Sequence, residues 1–381
     1  MFRKHSNNVI NKLSDINQII IINGSVKLLI DKDITKKICL IVDCSMVKWK
    51  YLLPSSSFMF DMITIGDIKL DTFVVLDDNK LQCELKMPEC KLCLDYGAKI
   101  RVDVVDSQIA GSAPNVAVGL ARMGKKTSII SYTGLDGTRE LALKHLEKEN
   151  VSTKFIQKVK GQQSSYSVVL NFKGEKTILT SHIKQIYRLP KKLAKPKGLY
   201  ICETGEGYES LYHSIIVCSK KYPCMIGFNP GSVQIEERKS VLYKLLKQTT
   251  ILFVNLEEAQ KLLYETQLEI RHLITHLWKL GPKQVVITDG VNGSYGFDGK
   301  EIFHCPIFPA KLKEATGAGD AFATGYLGAI LSGLSPNQAL QWGSVNGASV
   351  VEYVGPQKGL LTTAQIKSRL KKNPRFLAKQ L

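Results

Sequence analysis

The sequence predicts an α/β fold with a mainly parallel central sheet and a small β flap beside it. Three observations carry this. Six short apolar runs, at residues 63–65, 128–132, 199–202, 225–228, 251–254 and 285–287, read as buried strands. Amphipathic stretches at 115–123, 140–149, 210–220 and 257–264 lie between them, which is the βαβ rhythm of a parallel sheet. Two inserts, 72–106 and 165–180, carry strand-like segments with no helix between them, so they form the flap.

In chain order, residues 1–58 come first, polar and Lys-rich, and end in the turn signal Pro54-Ser55-Ser56-Ser57. They show no alternation of strands and helices and are expected to be a dispensable or poorly ordered extension. Met59 to Gly66 open the next domain with a buried strand that stops at a glycine. That domain is expected to span 59–365, turning helical from Ala318 onward, with a basic tail at 366–381.

Composition narrows the function classes. The chain has 381 residues, 44% apolar and 23% charged, and a net charge of +18, so its company is expected to be anionic. The basic residues are scattered, with no block of five like charges and no arginine-rich run interleaved with aromatics, which argues against nucleic acid. No stretch approaches the ~20 apolar residues of a membrane span, and the N-terminus has no secretory pattern. A soluble, cytoplasmic protein follows as the expectation. Nine cysteines, an odd number in a long chain, point to reduced thiols. Cys83, Cys90 and Cys93 contain one CxxC without a second, so structural cysteine is favoured over a zinc site.

The strongest chemical signal is the stretch from Glu314 to Gly325, centred on Thr316-Gly317-Ala318-Gly319-Asp320. Two glycines one residue apart let the backbone approach a ligand, and the apolar run behind them opens a helix near Ala318. A helix N-terminus turns free N–H groups and the positive end of its dipole toward an anion, so a phosphate would sit there. Asp320, in the first turn, would face that phosphate and repel it. A carboxylate is useful in that place when it takes a proton from an attacking hydroxyl. On spacing alone, an ordinary Gly-rich turn with a helix-favourable Asp stays open.

Weaker signals surround it. Gly111-Ser112-Ala113-Pro114-Asn115 leads into a second helix, with Pro114 suited to its first position. Gly119-x4-Gly124-Lys125 imitates a phosphate-binding loop but is followed by Lys126 in place of Ser or Thr, and its glycines do not follow a strand. Asn255-Leu256-Glu257-Glu258 and Thr288-Asp289-Gly290-Val291-Asn292-Gly293 each follow a strand, at the carboxyl edge where open α/β sheets bind ligands.

The order Gly66-x4-Asp71, Gly111-x3-Asn115, Asn255-x2-Glu258, Thr288-x-Gly290-x2-Gly293 and Gly317-Ala318-Gly319-Asp320 resembles the ribokinase-like, or PfkB-type, carbohydrate kinase family over residues 59–361. The resemblance implies a ribokinase-like three-layer sandwich with a mainly parallel central sheet and a small β-strand lid. It implies magnesium- and ATP-dependent phosphorylation of a sugar or nucleoside hydroxyl. By position, Asp320 matches the family's catalytic base, and Gly317, Ala318 and Gly319 its anion hole. Asp71, Asn115 and the Gly111 backbone match groups that hold sugar hydroxyls, and Glu203 loosely matches an acidic substrate-side residue. Asn255 and Glu258 match an element acting on magnesium and the ATP phosphates, through water at Glu258. Thr288, Gly290 and Gly293 match the nucleotide loop, and Asn346 lies where the family packs a helix near adenine.

Three positions depart from the pattern. Ala110 replaces the first glycine of a Gly-Gly pair, and Lys69 stands where ribokinase has a sugar-binding Asn, which together speak against ribose itself. Glu314 replaces an Asp in a loop that, with Thr316, would hold potassium. The implied partners are ATP and a small sugar or nucleoside, with a homodimer through the lid left open. An adenosine- or pseudouridine-type nucleoside kinase is the alternative enzyme, and an idle member binding nucleic acid through its charge is the remote one.

Overall fold

A computed structural model describes residues 16–22, 26–31, 39–41, 60–76, 82–86, 89–93, 96–172, 175–193, 195–265 and 269–381. The chain divides into two compact units, Met1–Ser56 and Ser57–Leu381. In the first, β1 (Ile16–Ile22), β2 (Val26–Asp31) and β3 (Cys39–Ile41) form an antiparallel sheet in that order. The sequence reading leaves these residues without elements, yet β-branched residues at 19–22 suit a pleated strand. Whether the rest of 1–58 is ordered lies outside the described residues.

The second unit begins with β4 (Phe60–Ile65), β5 (Lys69–Leu76), the hairpin β6 (Gln82–Lys86) and β7 (Glu89–Cys93), and β8 (Val102–Ala110). The side chains of Cys83, Cys90 and Cys93, on that hairpin, lie outside the described residues. Next come α1 (Ser112–Arg122), β9 (Thr127–Thr133), α2 (Gly137–Lys148), β10 (Val151–Lys158), β11 (Ser165–Phe172), β12 (Glu175–Ser181), β13 (Pro196–Ile201) and α3 (Glu209–Lys221). They are followed by β14 (Met225–Phe228), α4 (Ser232–Glu237), α5 (Ser240–Leu246), β15 (Ile251–Asn255), α6 (Leu256–Leu263), α7 (Ile270–Lys279) and β16 (Gln284–Thr288). The chain closes with β17 (Ser294–Phe297), β18 (Ile302–Cys305), α8 (Ala318–Ile330), α9 (Pro336–Val350), α10 (Thr363–Lys372) and β19 (Lys379–Gln380).

The central sheet runs β10-β9-β4-β13-β14-β15-β16-β17-β18-β19. It is parallel from β10 to β16, and all six predicted strands lie there. Period-two alternation splits its buried residues between two helical layers. On β15, Ile251 and Phe253 join the core that contains α1, α8 and α9, while Leu252 and Val254 join the core under α5, α6 and α7. This is the three-layer sandwich.

Beside it, β12-β11-β5-β8 form the small sheet. Its strands begin at Lys69 and end at Ala110 and Ser181, a little beyond the predicted flap. The tail expected at 366–381 needs correction. Its first residues belong to α10, capped by Thr362 with Ile366 fully buried, and β19 pairs with β18 at the sheet edge. Apolar spacing on a Lys-rich helix, masked by its charge, explains the difference. Among the described residues, no helix is long and apolar enough to cross a membrane, and Cys202, Cys218, Cys224 and Cys305 are free thiols.

Candidate active site

A cleft of about 210 Å³ opens at the carboxyl ends of β13 to β16, against the N-termini of α1 and α8. Its lining includes Ser112, Asn229, Asn255, Glu258, Thr288 and Asp320. Gly317 caps α8 in the left-handed region, at φ 77°, and a Cβ there would lie 2.3 Å from Pro356. Only glycine fits, and Gly317, Gly319 and Asp320 at the start of α8 line the cleft. Ala318 is the first helical residue, as its sequence predicts. Asp320 Oδ2 accepts from Asn115 Nδ2 at 2.8 Å, and Ser112 adds a second hydrogen bond to the carboxylate. Burial raises its pKa, and repulsion from Glu203 adds to this; Asn115, Ser112 and Lys69 oppose the rise.

Asn115 reaches Asp320 because Gly111, at φ 109°, turns the chain from β8 into α1 with its backbone against the Asp67 carbonyl. The preceding Ala110 is an ordinary buried strand residue, so the missing first glycine costs nothing here.

Beyond the carboxyl end of β13, Glu203 Oε2 accepts from Lys69 Nζ at 2.7 Å. Both charges persist: burial opposes them, but each holds the other ionised, with the Lys69 pKa raised and that of Glu203 lowered. Asp67 is sealed beneath them, accepting from Tyr187 Oη at 2.7 Å, with its Oδ2 2.6 Å from His182 Nδ1. Asp71 lies inside β5 of the small sheet, opposite Ser167 and Gln108, because the chain turns at Gly66. Burial pushes its carboxyl up to about 6, with Glu203 and Asp320 adding to the rise and Lys69 and Ser167 opposing it. Its Oδ1 is buried without a partner.

At the end of β15, Asn255 and Glu258 form a reciprocal cap on α6. Glu258 N–H donates to Asn255 Oδ1 at 2.7 Å and Asn255 N–H to Glu258 Oε2 at 2.9 Å. Burial raises the Glu258 pKa against bonds from the Asn255 N–H and the Asn229 side chain. Thr288, at the end of β16, lines the cleft. Gly290 and Gly293 shape the turn that follows and are not part of that lining.

Asn346 requires correction. It is fully buried, donating to the Ala321 carbonyl at 2.7 Å and accepting from Leu361 N–H at 2.9 Å. These bonds tie α8 to the segment after α9, and the fully buried side chain is not part of the cleft lining. Glu314 likewise accepts from the N–H groups of Thr316, at 2.6 Å, and Gly355, at 3.3 Å, fastening the loop that carries Gly317.

Sequence reasoning misses Ser112, Asn229, Asp67, His182 and the role of Lys69. Asn229 follows β14 as Asn255 follows β15, so the same edge argument reaches it. Nothing local ties His182 to positions 67 and 203.

Residues 73–363 match the profile of the pfkB family carbohydrate kinases. The chain belongs to that family. As a pfkB-family kinase it is a phosphotransferase acting on sugar hydroxyls. It is 22% identical over 322 residues to an ATP-dependent 6-phosphofructokinase of Thermoanaerobacterium thermosaccharolyticum, covering 81% of this chain and 93% of that enzyme. It is also 22% identical to a 5-dehydro-2-deoxygluconokinase of Bacillus subtilis, covering 72% and 90%. The fold resembles Arabidopsis thaliana ribokinase complexed with ribose and ATP, at TM-score 0.68 and 19% identity, with 82% of this chain and 99% of that one covered. It also resembles a Burkholderia thailandensis nucleoside kinase in complex with inosine, at TM-score 0.66 and 16% identity, with 82% and 98% covered.

Proposed function

We propose that this kinase transfers the γ-phosphate of ATP to a hydroxyl of an uncharged sugar or sugar-like acceptor, with Asp320 as the general base. The observation that carries it is the position of Asp320, in the first turn of α8 with one carboxylate oxygen held by Asn115. An acceptor hydroxyl between Asp320 and a phosphate on the α8 N-terminus would lose its proton to the carboxylate as its oxygen attacks phosphorus. The Gly317–Gly319 backbone would meet the charge spread over the transferring group. Asp71, with a free buried oxygen, and Asn115 would orient the acceptor.

Magnesium suits the other rim. Among the described residues no cluster of three ligands exists, and this ion commonly uses one or two carboxylates with water and substrate phosphates. Glu258 would hold it through water, with Asn255 and Thr288 beside the phosphates. The bound ion would supply charge neutralisation at the phosphates. A potassium ion beside Glu314 and Thr316 is a weaker proposal, tested by turnover in potassium against sodium salts.

The acceptor's charge follows from its surroundings. Asp67, Asp71, Glu203 and Asp320 share one electrostatic neighbourhood with Lys69, and Lys69 is already tied to Glu203. Four carboxyl groups around one spent cation disfavour a phosphorylated or carboxylated acceptor. Likeness to solved nucleoside kinases favours a nucleoside as the second reading.

The small sheet is read as a lid whose closure over the acceptor expels water. Val75, Val104, Val105, Tyr166, Ile178 and Leu179 stay exposed on it, which supports a homodimer through the lid. A cytoplasmic location accords with the free thiols. ADP release measured across free hexoses, pentoses, nucleosides and sugar phosphates tests the whole reading. Phosphorylation of a free sugar or nucleoside is expected. No turnover with any acceptor refutes this reading of the site, and preference for a sugar phosphate refutes the charge argument.

A further inference from the structure

A chain of hydrogen bonds runs from the outer helix α2 to the carboxylate of Asp320. His145 Nε2 lies 2.6 Å from Gln357 Oε1. Gln357 Nε2 donates to the Ile109 carbonyl at 3.0 Å and to Asn115 Oδ1 at 2.8 Å. Asn115 Nδ2 completes the chain on Asp320 Oδ2 at 2.8 Å.

The direction of every link follows from chemistry. A peptide carbonyl can only accept, so the Gln357 amide must turn its NH2 toward Ile109. The same nitrogen then meets Asn115, whose oxygen must face it, and the Asn115 NH2 is left to face Asp320. At the outer end, Gln357 Oε1 needs a donor, so His145 carries its proton on Nε2. Gln357 is itself immobile. It is 4% exposed, and its carbonyl accepts from Arg122 Nη1 at 2.6 Å, while Arg122 is paired with Glu149 at 2.7 Å.

We propose that Gln357 is a positioning residue for Asp320, fixing the Asn115 amide as the donor that holds one of its carboxylate oxygens. The sequence motifs do not mark it, and Gln357 lies 242 residues from Asn115. The role rests on Asp320 being the base, but the test reads the carboxyl itself and needs no acceptor.

Losing Gln357 takes the partner from the Asn115 oxygen and lets the amide swing off its line to Asp320. The donor to the carboxylate is then weakened, and the proton is held more tightly. The other groups facing Asp320 stay in place. Glu203 raises its pKa, Lys69 and Ser112 lower it, and Asp71 and Glu258 share its negative field. Near His145 is Glu149, which also faces Arg122 and Lys148.

The experiment is a carbon-13 titration of the Asp320 side-chain carboxyl in the full chain without ligands, assigned by its loss in Asp320→Asn. Gln357→Leu should move the midpoint upward. His145→Leu should move it the same way by less, and His145→Gln, which restores a donor to Gln357 Oε1, should return it to wild type. Because Gln357 is buried, His145→Leu and His145→Gln decide the matter if Gln357→Leu does not fold. A wild-type midpoint in folded Gln357→Leu, even with a lowered Tm, overturns the proposal. Failing a folded Gln357→Leu, an unshifted midpoint in His145→Leu, or equal midpoints in the two His145 variants, overturns it.

Discussion

Replacing Asp320 by Asn separates the base from everything else the cleft does. Asn is isosteric, and its oxygen can still accept from Asn115 Nδ2, now at 2.8 Å from the carboxylate. What disappears is the proton acceptor. General base catalysis contributes about 10²–10⁴ in rate, or about 3–5 kcal/mol of barrier at 1.36 kcal/mol per tenfold. Phosphoryl transfer goes through a loose transition state in which the attacking oxygen has formed little bond, so the lower half of that range applies. The α8 N-terminus and Gly317 geometry remain, and with them the interactions proposed for phosphate.

Turnover should therefore fall by about 10²–10³ while ATP affinity stays near wild type. Stability should not fall, because the substitution removes a carboxylate that burial and Glu203 both disfavour. Steady-state ADP release at saturating ATP and acceptor, with calorimetric titration of ATP, measures the two quantities separately. Activity within a few-fold of wild type would refute the assignment. So would an equal loss in ATP affinity, since it would mean that the carboxylate organises the nucleotide site.

Three further predictions concern the surroundings. The raised Asp71 pKa, about 6 against 3.8, means that the folded state resists its ionisation, so this group's contribution to stability declines as pH rises from about 4 to 6. Asp71→Asn should raise stability at pH 7.5 by on the order of 3 kcal/mol and leave it unchanged near pH 3.5, while weakening acceptor use far more than ATP use; equal stability changes at both pH values would contradict this. Glu203→Ala strands Lys69 in the interior and should cost about 3 kcal/mol in a urea titration, the low end for broken buried pairs, because Asp67 and Asp71 remain near the ammonium; an unchanged midpoint would show that the pair is solvated. A chain beginning at Met59 should fold and turn over substrate like the full chain, since Ser57–Leu381 forms a unit of its own; aggregation or a lowered urea midpoint would assign residues 1–58 to the fold.

The parts of this fold legible in the sequence are those governed by local pattern. Buried parallel strands are short apolar runs, and the start of α8 is written in Gly317, whose αL conformation excludes a side chain. Asn255 and Glu258 could be read because they directly follow the apolar run of β15, at the carboxyl edge of the sheet. The acceptor side could not be read that way. Lys69 and Glu203 are 134 residues apart, and Asp67 and His182 are 115 apart, so their pairing exists only after β4, β5 and β13 meet. Asn346 misled for a related reason: a polar residue beside a ligand pocket and one that stitches two helices together look the same in one sequence.

The departures from the family pattern have a physical logic when sorted by side of the cleft. The transferring phosphate makes the same demands whatever the acceptor is, and Gly317, Gly319, Asp320, Asn255 and Glu258 all fit the expected pattern. Gly111 keeps its positive φ while Ala110 beside it adopts an ordinary strand conformation, so that substitution is silent. Lys69 is different in kind. It introduces a buried charge, and Glu203 carries that charge as a partner. A residue that only had to fill space would not need an ammonium sealed into a site of four carboxyl groups. Lys69 and Glu203 are therefore the first pair to vary when the acceptor preference of this kinase is redirected, and the phosphate side should tolerate that change without loss.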